Sequence, residues 1–400
     1  MTEQEPLLST PSENNLQSKF TAILNFANSS LGSSVLANAF ILKLLGFGIA
    51  PIFMIFIFSF AVMGYIWLKQ AADTLGVYQY RQLIEKVYPK WVGTIIALCQ
   101  MIFVFGSLVS YNIVTKDNFF FFGEEQKWQR AVLLAGIQII LVMPLSWLPT
   151  LESLKFNSYI DVAVMIYIDI VLVITFCQKG FNQTAKAVNM TENSIFAASL
   201  LTHSYAAILQ FNFLNLYKEL NKREKNIKPV TVWNSFICLT VYLVNGYFGY
   251  AIYGDQVKPN VIKNLSLEKT FWSISANCVM IVLMVVHIPV VAYPMRKTFE
   301  ELAFQSNVNR KTEIIIGSVI IILAATVGCF LNSIDNILDF TSSLCGGTIG
   351  LVLPGLLKIK LATNNKDKII AQMYTIIGML ITLFGFGVAC YKWLIKPYTN

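Results

Sequence analysis

Apolar residues in this 400-residue chain fall into long runs separated by short polar stretches. A helix that crosses a bilayer needs ~20 mostly apolar residues. On that measure the sequence predicts eleven crossings, near 20–45, 48–70, 91–116, 129–149, 156–177, 194–217, 230–253, 271–295, 312–331, 337–358 and 369–394. The segment 73–90 differs, because Tyr78, Leu83, Ile84, Val87 and Tyr88 alternate there with Arg81, Glu85 and Lys86. Two readings of it stand: a short amphipathic helix along the interface, or a solvated loop.

The first run is interrupted. In Asn25 to Phe40, NFANSSLGSSVLANAF, the residues Gly32, Ser33 and Ser34 stand at the middle of an otherwise apolar segment. Backbone polar groups in hydrocarbon must find partners, so an unwound turn at that depth has to line a cavity or meet protein. A helix restarting near Val35 would turn free N–H groups and its positive dipole end toward a carboxylate, while the ending helix offers carbonyls to a cation. The other reading is that Gly and Ser let a neighbouring helix approach closely.

Composition sharpens the class. With 56% hydrophobic and 13% charged residues and a mean hydropathy of +0.60, the chain is a polytopic membrane protein. The formal net charge of +8 sits in short clusters between apolar runs, which excludes a nucleic-acid role. Clusters such as Lys218, Lys222, Arg223, Lys225 and Lys228 place the N-terminus in the cytosol. Three glycosylation sequons, at Asn182, Asn189 and Asn264, then fall on the lumenal face, and a fourth at Asn28 lies inside the first helix. The polar tail 1–18 is read as cytosolic with no cleavable leader, and Glu3 to Leu8 has the form of an acidic dileucine signal for sorting adaptors. None of the seven cysteines shows metal-ligand spacing. Two histidines in membrane runs give no catalytic constellation, so no enzyme is expected.

Charges within the apolar runs are costly and therefore functional candidates. Asp161 lies near the cytosolic end of the fifth run, where snorkelling or pairing with Lys155 would account for it. Asp169 lies deeper, as a protonated acid bonded to a neighbouring helix or as a proton relay. Asp339 and His287 complete the set.

The ordered motifs NFANSSLGSSVL, MPLSWLPTLESLKFNS (143–158), AAILQFNFLNLYKEL (206–220), VNGYFGYAIYGD (244–255), IPVVAYPMRKTFEEL (288–302) and SIDNILDFTSSLCGGTIGLVLPGLLKIKL (333–361) resemble the amino acid/auxin permease family. The likeness is strongest to its sodium-coupled neutral amino acid transporters and their vacuolar relatives. It implies an all-α fold of ten core helices in two inverted five-helix repeats, about 20–177 and 194–358, with an eleventh helix at 369–394 and helices 1 and 6 broken at the midplane. The transporter domain is then 19–394. In the sixth helix the resemblance aligns Gln210 with a histidine of relatives and puts the break near Ile208 to Asn212. His203, two turns earlier, reads as a packed polar residue.

What the resemblance implies for function is a secondary transporter of neutral amino acids working by alternating access in a lysosomal, vacuolar or plasma membrane, with no cofactor. Asn28, Gly32, Ser33, Ser34 and Gln210 would form the substrate site. Asn28 matches a sodium ligand of relatives, but their second ligand, a hydroxyl, aligns with His287. Imidazole suits a proton better than a hard cation. Proton coupling through His287 and Asp169 is therefore expected, with sodium coupling and an amino-acid-sensing receptor as the alternatives. Ser34 also departs from the usual glycine, narrowing the turn.

Overall fold

The computed structural model describes residues 17–119, 126–148, 157–191, 194–195, 197, 213–304, 308–331 and 334–394. Among these, nine helices are long and apolar enough to cross a membrane, and the chain is an all-α, integral multi-pass membrane protein.

The first predicted crossing opens as α1, Lys19–Ser30, capped by Ser18 Oγ, which accepts from Thr21 N. It stops at Leu31 and Gly32 and restarts through a 3-10 turn, Ser33–Ala37, into α2, Asn38–Leu75. The interruption read from the sequence is thus a real break. The restarted stretch, Ser33–Leu75, has 43 residues, about 65 Å of helix and roughly twice the hydrocarbon thickness. It turns at Gly46, where φ is 88°, a conformation that favours glycine. A side chain there would also meet the Ala187 carbonyl at 2.5 Å. The loop after the fifth crossing straps this corner: Gly48 N donates to Ala187 O (2.8 Å) and Asn189 N to Leu45 O (3.1 Å). Split at Gly46, the stretch covers the second half of the first expected crossing and the whole of the second.

Gly76 in the left-handed region closes α2. The segment 73–90 then contains a short helix, α3, Tyr80–Glu85. Leu83 and Ile84 are buried in protein and Arg81 pairs with Glu85 and Glu301, so this helix is docked and not a solvated loop. The third crossing is α4, Lys90–Asp117. The fourth is α5, Lys127–Ile137, which passes through a π turn, Gln138–Val142, into α6, Met143–Ser146. The fifth is α7, Asn157–Lys179.

Most of the expected sixth crossing lies outside the described residues, including His203, Gln210 and the break placed near 208–212. Its end is α8, Phe213–Glu219. The seventh expected crossing is α9, Arg223–Tyr253, followed by a short α10, Val261–Ser266. The eighth and ninth are α11, Phe271–Phe304, and α12, Arg310–Phe330. Then α13, Ile334–Thr341, continues through two π turns, Ser342–Gly346 and Thr348–Val352, into α14, Leu353–Leu361. The last helix is α15, Asn365–Leu394.

Helices α9 and α11 run several residues past the apolar windows that predicted them. Hydropathy cannot see these extensions because they are polar: Arg223 of α9 lies over the Tyr78 ring, and Lys297 of α11 pairs with Glu300 and Glu313. One end of the bundle gathers the loops at 43–48, 182–189 and 250–264, where Asn182 N donates to Ala251 O (2.7 Å) and Asp255 N to Thr184 Oγ1 (3.0 Å). At the other end Gln17 pairs with the 219–221 segment and Tyr217 Oη donates to Asp73 (2.9 Å).

Asn264, the sequon residue expected on the lumenal surface, is buried. Its side chain is 2% exposed, donating to Gln256 O and accepting from Lys258 N. A glycan on it does not fit the fold, whereas Asn182 and Asn189 are only half-buried.

Candidate functional site

The break in α1 is held from two sides by its own hydroxyls. Ser33 Oγ is hydrogen-bonded to Ser110 Oγ of α4. Ser34 Oγ lies 2.6 Å from Tyr242 Oη of α9. Tyr242 Oη in turn donates to the Ser30 carbonyl at 3.1 Å. A phenol has one proton, so Ser34 is the donor to Tyr242, and the relay runs from the restarted turn back to the last residue of α1. Asn38 Nδ2 donates to the Tyr242 carbonyl and fixes that residue further. All of these groups are buried.

Two consequences follow for the residues expected at the substrate. The Ser33 and Ser34 hydroxyls are engaged by protein, which leaves backbone N–H groups as what the break can present. In the first turn of a restarting helix those N–H groups have no preceding helical carbonyl. The Ser30 carbonyl is likewise taken by Tyr242.

Tyr111 of α4 was not singled out by the sequence, where a tyrosine in an apolar run looks like packing. A Cβ built on Gly32 would lie 3.0 Å from Tyr111 Oη, so this hydroxyl stands directly over the break. Beside it is a narrow cavity of about 10 Å³, room for about one water, reached by Ser29, Gly32, Ser33 and Ser34 from the break and by Ser107 and Tyr111 from α4. Phe103, Val104, Val291 and Leu338 supply its apolar walls. Among the described residues no charged side chain lines it. The Ser107 and Ser29 hydroxyls donate to their own helices, to Phe103 O and Asn25 O, both at 3.1 Å.

On the far side of Tyr111 is His287. The two rings meet edge to face, with centroids 4.9 Å apart and planes at 82°. His287 Nδ1 lies 2.5 Å from Asp161 Oδ2, and both side chains are buried. This differs from the expected partnership of His287 with Asp169. Asp169 instead accepts from Asn245 Nδ2 at 3.4 Å. It stands eight residues further along α7, a rise of about 12 Å. Asp161 is neither snorkelling nor at a surface, since its exposure is 0%; Lys155 lies outside the described residues.

One turn before Asp161, Ser158 Oγ accepts from Asn28 Nδ2 at 3.0 Å. The Asn28–Ser158 and Asp161–His287 pairs thus sit on successive turns of α7, a buried polar stretch drawn from α1, α7 and α11. Two of its oxygens, Asn28 Oδ1 and Asp161 Oδ1, have no hydrogen-bond partner among the described residues. Buried acceptors without partners are costly, and both are oxygens of the kind that hold a proton or a hard cation. Among the described residues no cluster of three or more His, Cys, Asp or Glu could hold a metal ion.

Residues 17–394 match the transmembrane amino acid transporter protein family. The chain belongs to that family. It is 24% identical to the amino acid transporter AVT6B of Arabidopsis thaliana, over 93% of this chain and 88% of that protein. It is 22% identical to the sodium-coupled neutral amino acid symporter 2 of Danio rerio, over 93% of this chain and 82% of that one. In fold it is similar to MhsT, solved in complex with L-phenylalanine: the TM-score is 0.64 at 11% identity, covering 94% of this chain and 99% of that one. The family is one of transporters and not of enzymes, and the resemblance read from the motifs holds across nearly the whole chain.

Proposed function

We propose that this chain is a secondary active transporter of neutral amino acids, working by alternating access between two inverted five-helix repeats and coupled to protons. The observation that carries the substrate class is the break beside a cavity with apolar walls and, among the described residues, no charged side chain. The N–H groups of Gly32, Ser33 and Ser34, at the positive end of the restarted helix, receive the substrate carboxylate. Tyr111 Oη stands close enough to Gly32 to donate to the same carboxylate. The ammonium goes to last-turn carbonyls of α1 and to the sixth helix near Gln210. Phe103, Val104, Val291 and Leu338 take an uncharged side chain, which a cationic or anionic one could enter only at a large desolvation cost.

The coupled proton resides on the His287–Asp161 pair, with the Asn28–Ser158 pair one turn away. With one proton the pair is neutral overall; a second makes it cationic. Tyr111 touches both the break and the His287 ring, so occupation of one site is felt at the other. Accumulating substrate then requires the second proton to enter and leave with it.

Sodium is the second reading, and a specific observation favours it. Asn28 Oδ1 and Asp161 Oδ1 are two buried oxygens without partners among the described residues, a start on the oxygen-rich shell a hard cation takes. The relatives include a symporter named as sodium-coupled. Purified protein in liposomes, offered labelled amino acids with a pH gradient, a sodium gradient or neither, tests both readings. A neutral amino acid accumulated on the pH gradient alone supports the proton; accumulation on sodium at constant pH transfers the coupling to sodium; no uptake of any amino acid overturns the transport reading.

A further inference from the structure

Asp339, an acid within an apolar run, has no part in the site above, yet it is paired. Lys392 Nζ lies 2.8 Å from Asp339 Oδ2, and the two side chains are 3% and 2% exposed. They join α13 to the far end of α15.

The surroundings give the pair a place in the site's frame. Leu338, the residue before Asp339, is one wall of the cavity. Thr341, two residues on, packs so closely on Gly106 of α4 that no side chain fits there. Beyond Thr341 the helix passes through its two π turns, where the hydrogen-bonded ring is wider and helices commonly kink. α15 runs antiparallel along this stretch and meets it at glycines. A Cβ on Gly347 would lie 2.5 Å from Thr382 Oγ1, one on Gly378 would lie 2.7 Å from the Leu351 carbonyl, and Gly355 abuts Thr375. Residues 355, 351, 347 and 339 thus face 375, 378, 382 and 392 in order. The glycines zip the inner part of the seam, and the ion pair closes its outer end beside the cavity.

We infer that Asp339 and Lys392 are positioning residues for substrate binding: across these π turns, the last helix holds the Leu338 wall against the break in α1 through this pair. In hydrocarbon surroundings neither charge can be left alone, so α13 has one favoured seat on α15. An apolar contact at the same place could slide without that penalty. The last helix is in this sense part of the binding site and not an appendage to the core.

The inference rests on the substrate reading above, and its test is chosen to separate the two. The full chain is reconstituted with Leu338→Cys, and the rate at which a small thiol reagent labels that residue is measured over the background of the native cysteines. No substrate is involved. Asp339→Asn and Lys392→Gln should each raise the rate at least fivefold, and the exchanged pair Asp339→Lys with Lys392→Asp should return it to within twofold of the starting rate. Asp339→Glu keeps the charge and covers the case in which the neutral variants do not reach the membrane; it should label within twofold. Equal rates in the neutral variants, an exchanged pair no slower than they are, or a fast rate in Asp339→Glu overturns the inference. In uptake, the neutral variants should raise KM about tenfold with a smaller change in maximal rate. Absence of uptake in the wild type defeats the transport reading alone, because the labelling result stands without it.

Discussion

His287 Nδ1 and Asp161 Oδ2, 126 residues apart in sequence, face each other at 2.5 Å in the interior of the bundle. Neither residue has a surface to retreat to, and the pair borders Tyr111, which borders the break in α1. Proton occupancy and substrate occupancy are thereby one contact apart.

Removing either member should separate transport from accumulation. His287→Ala and Asp161→Asn are expected to lower pH-driven accumulation at least tenfold while exchange of labelled for unlabelled substrate stays within about threefold. Asp169→Asn should leave coupling within threefold of the wild type, because its contact is Asn245. Loss of coupling in Asp169→Asn with full coupling in Asp161→Asn would reverse the assignment.

Tyr242 is expected to act with Ser34 as a unit. Tyr242→Phe leaves the Ser30 carbonyl and the Ser34 hydroxyl without their partner, a cost of ~1–3 kcal/mol for a buried polar group. Ser34→Ala removes one end of the same relay. Measured by thermal unfolding in detergent, the double variant should be less destabilised than the sum of the singles, with an interaction energy in the range of ~0.5–3 kcal/mol found for residues in contact. Strict additivity would mean that the 2.6 Å contact does not brace the break.

Tyr111→Phe tests the carboxylate donor. A hydrogen bond to a charged group contributes ~1.5–3 kcal/mol, so KM should rise roughly ten- to a hundredfold while the protein reaches the membrane at wild-type levels. An unchanged KM would remove Tyr111 from the site.

The two glycines of the first crossing should respond differently to the same change. At Gly46, φ of 88° and the Ala187 carbonyl at 2.5 Å both oppose a side chain, so Gly46→Ala should cut the yield of folded protein several-fold. At Gly32 the obstacle is the end of the Tyr111 side chain, so Gly32→Ala should fold and raise KM, and Gly32→Val should fold and abolish uptake. Comparing surface expression with uptake distinguishes a fold position from a site position.

How much of this was legible beforehand depends on the range of the interaction involved. The break at Leu31 and Gly32 could be read because its signal is local: Gly-Ser-Ser stands inside an apolar run and is visible without knowledge of any distant partner. The nine long apolar helices among the described residues were legible for the same reason, except where polar ends of α9 and α11 extend past the apolar windows. The partner of His287 was not legible. Asp161 and Asp169 lie eight residues apart on one helix, and nothing local says which one meets a residue 126 positions away. Tyr111 and Tyr242 were missed because the hydroxyl is the only polar group on a side chain that otherwise reads as core. The burial of Asn264 escaped because a sequon reports sequence and not the packing of its loop.

The most direct measurement is uptake of a labelled neutral amino acid by purified protein in liposomes, with the pH gradient and the sodium gradient imposed separately, in the wild type and in His287→Ala. If protons drive transport through His287, the wild type accumulates substrate on an inward proton gradient without sodium, and His287→Ala exchanges without accumulating. Accumulation by the wild type on a sodium gradient at constant pH, with no response to the proton gradient, would contradict proton coupling through His287.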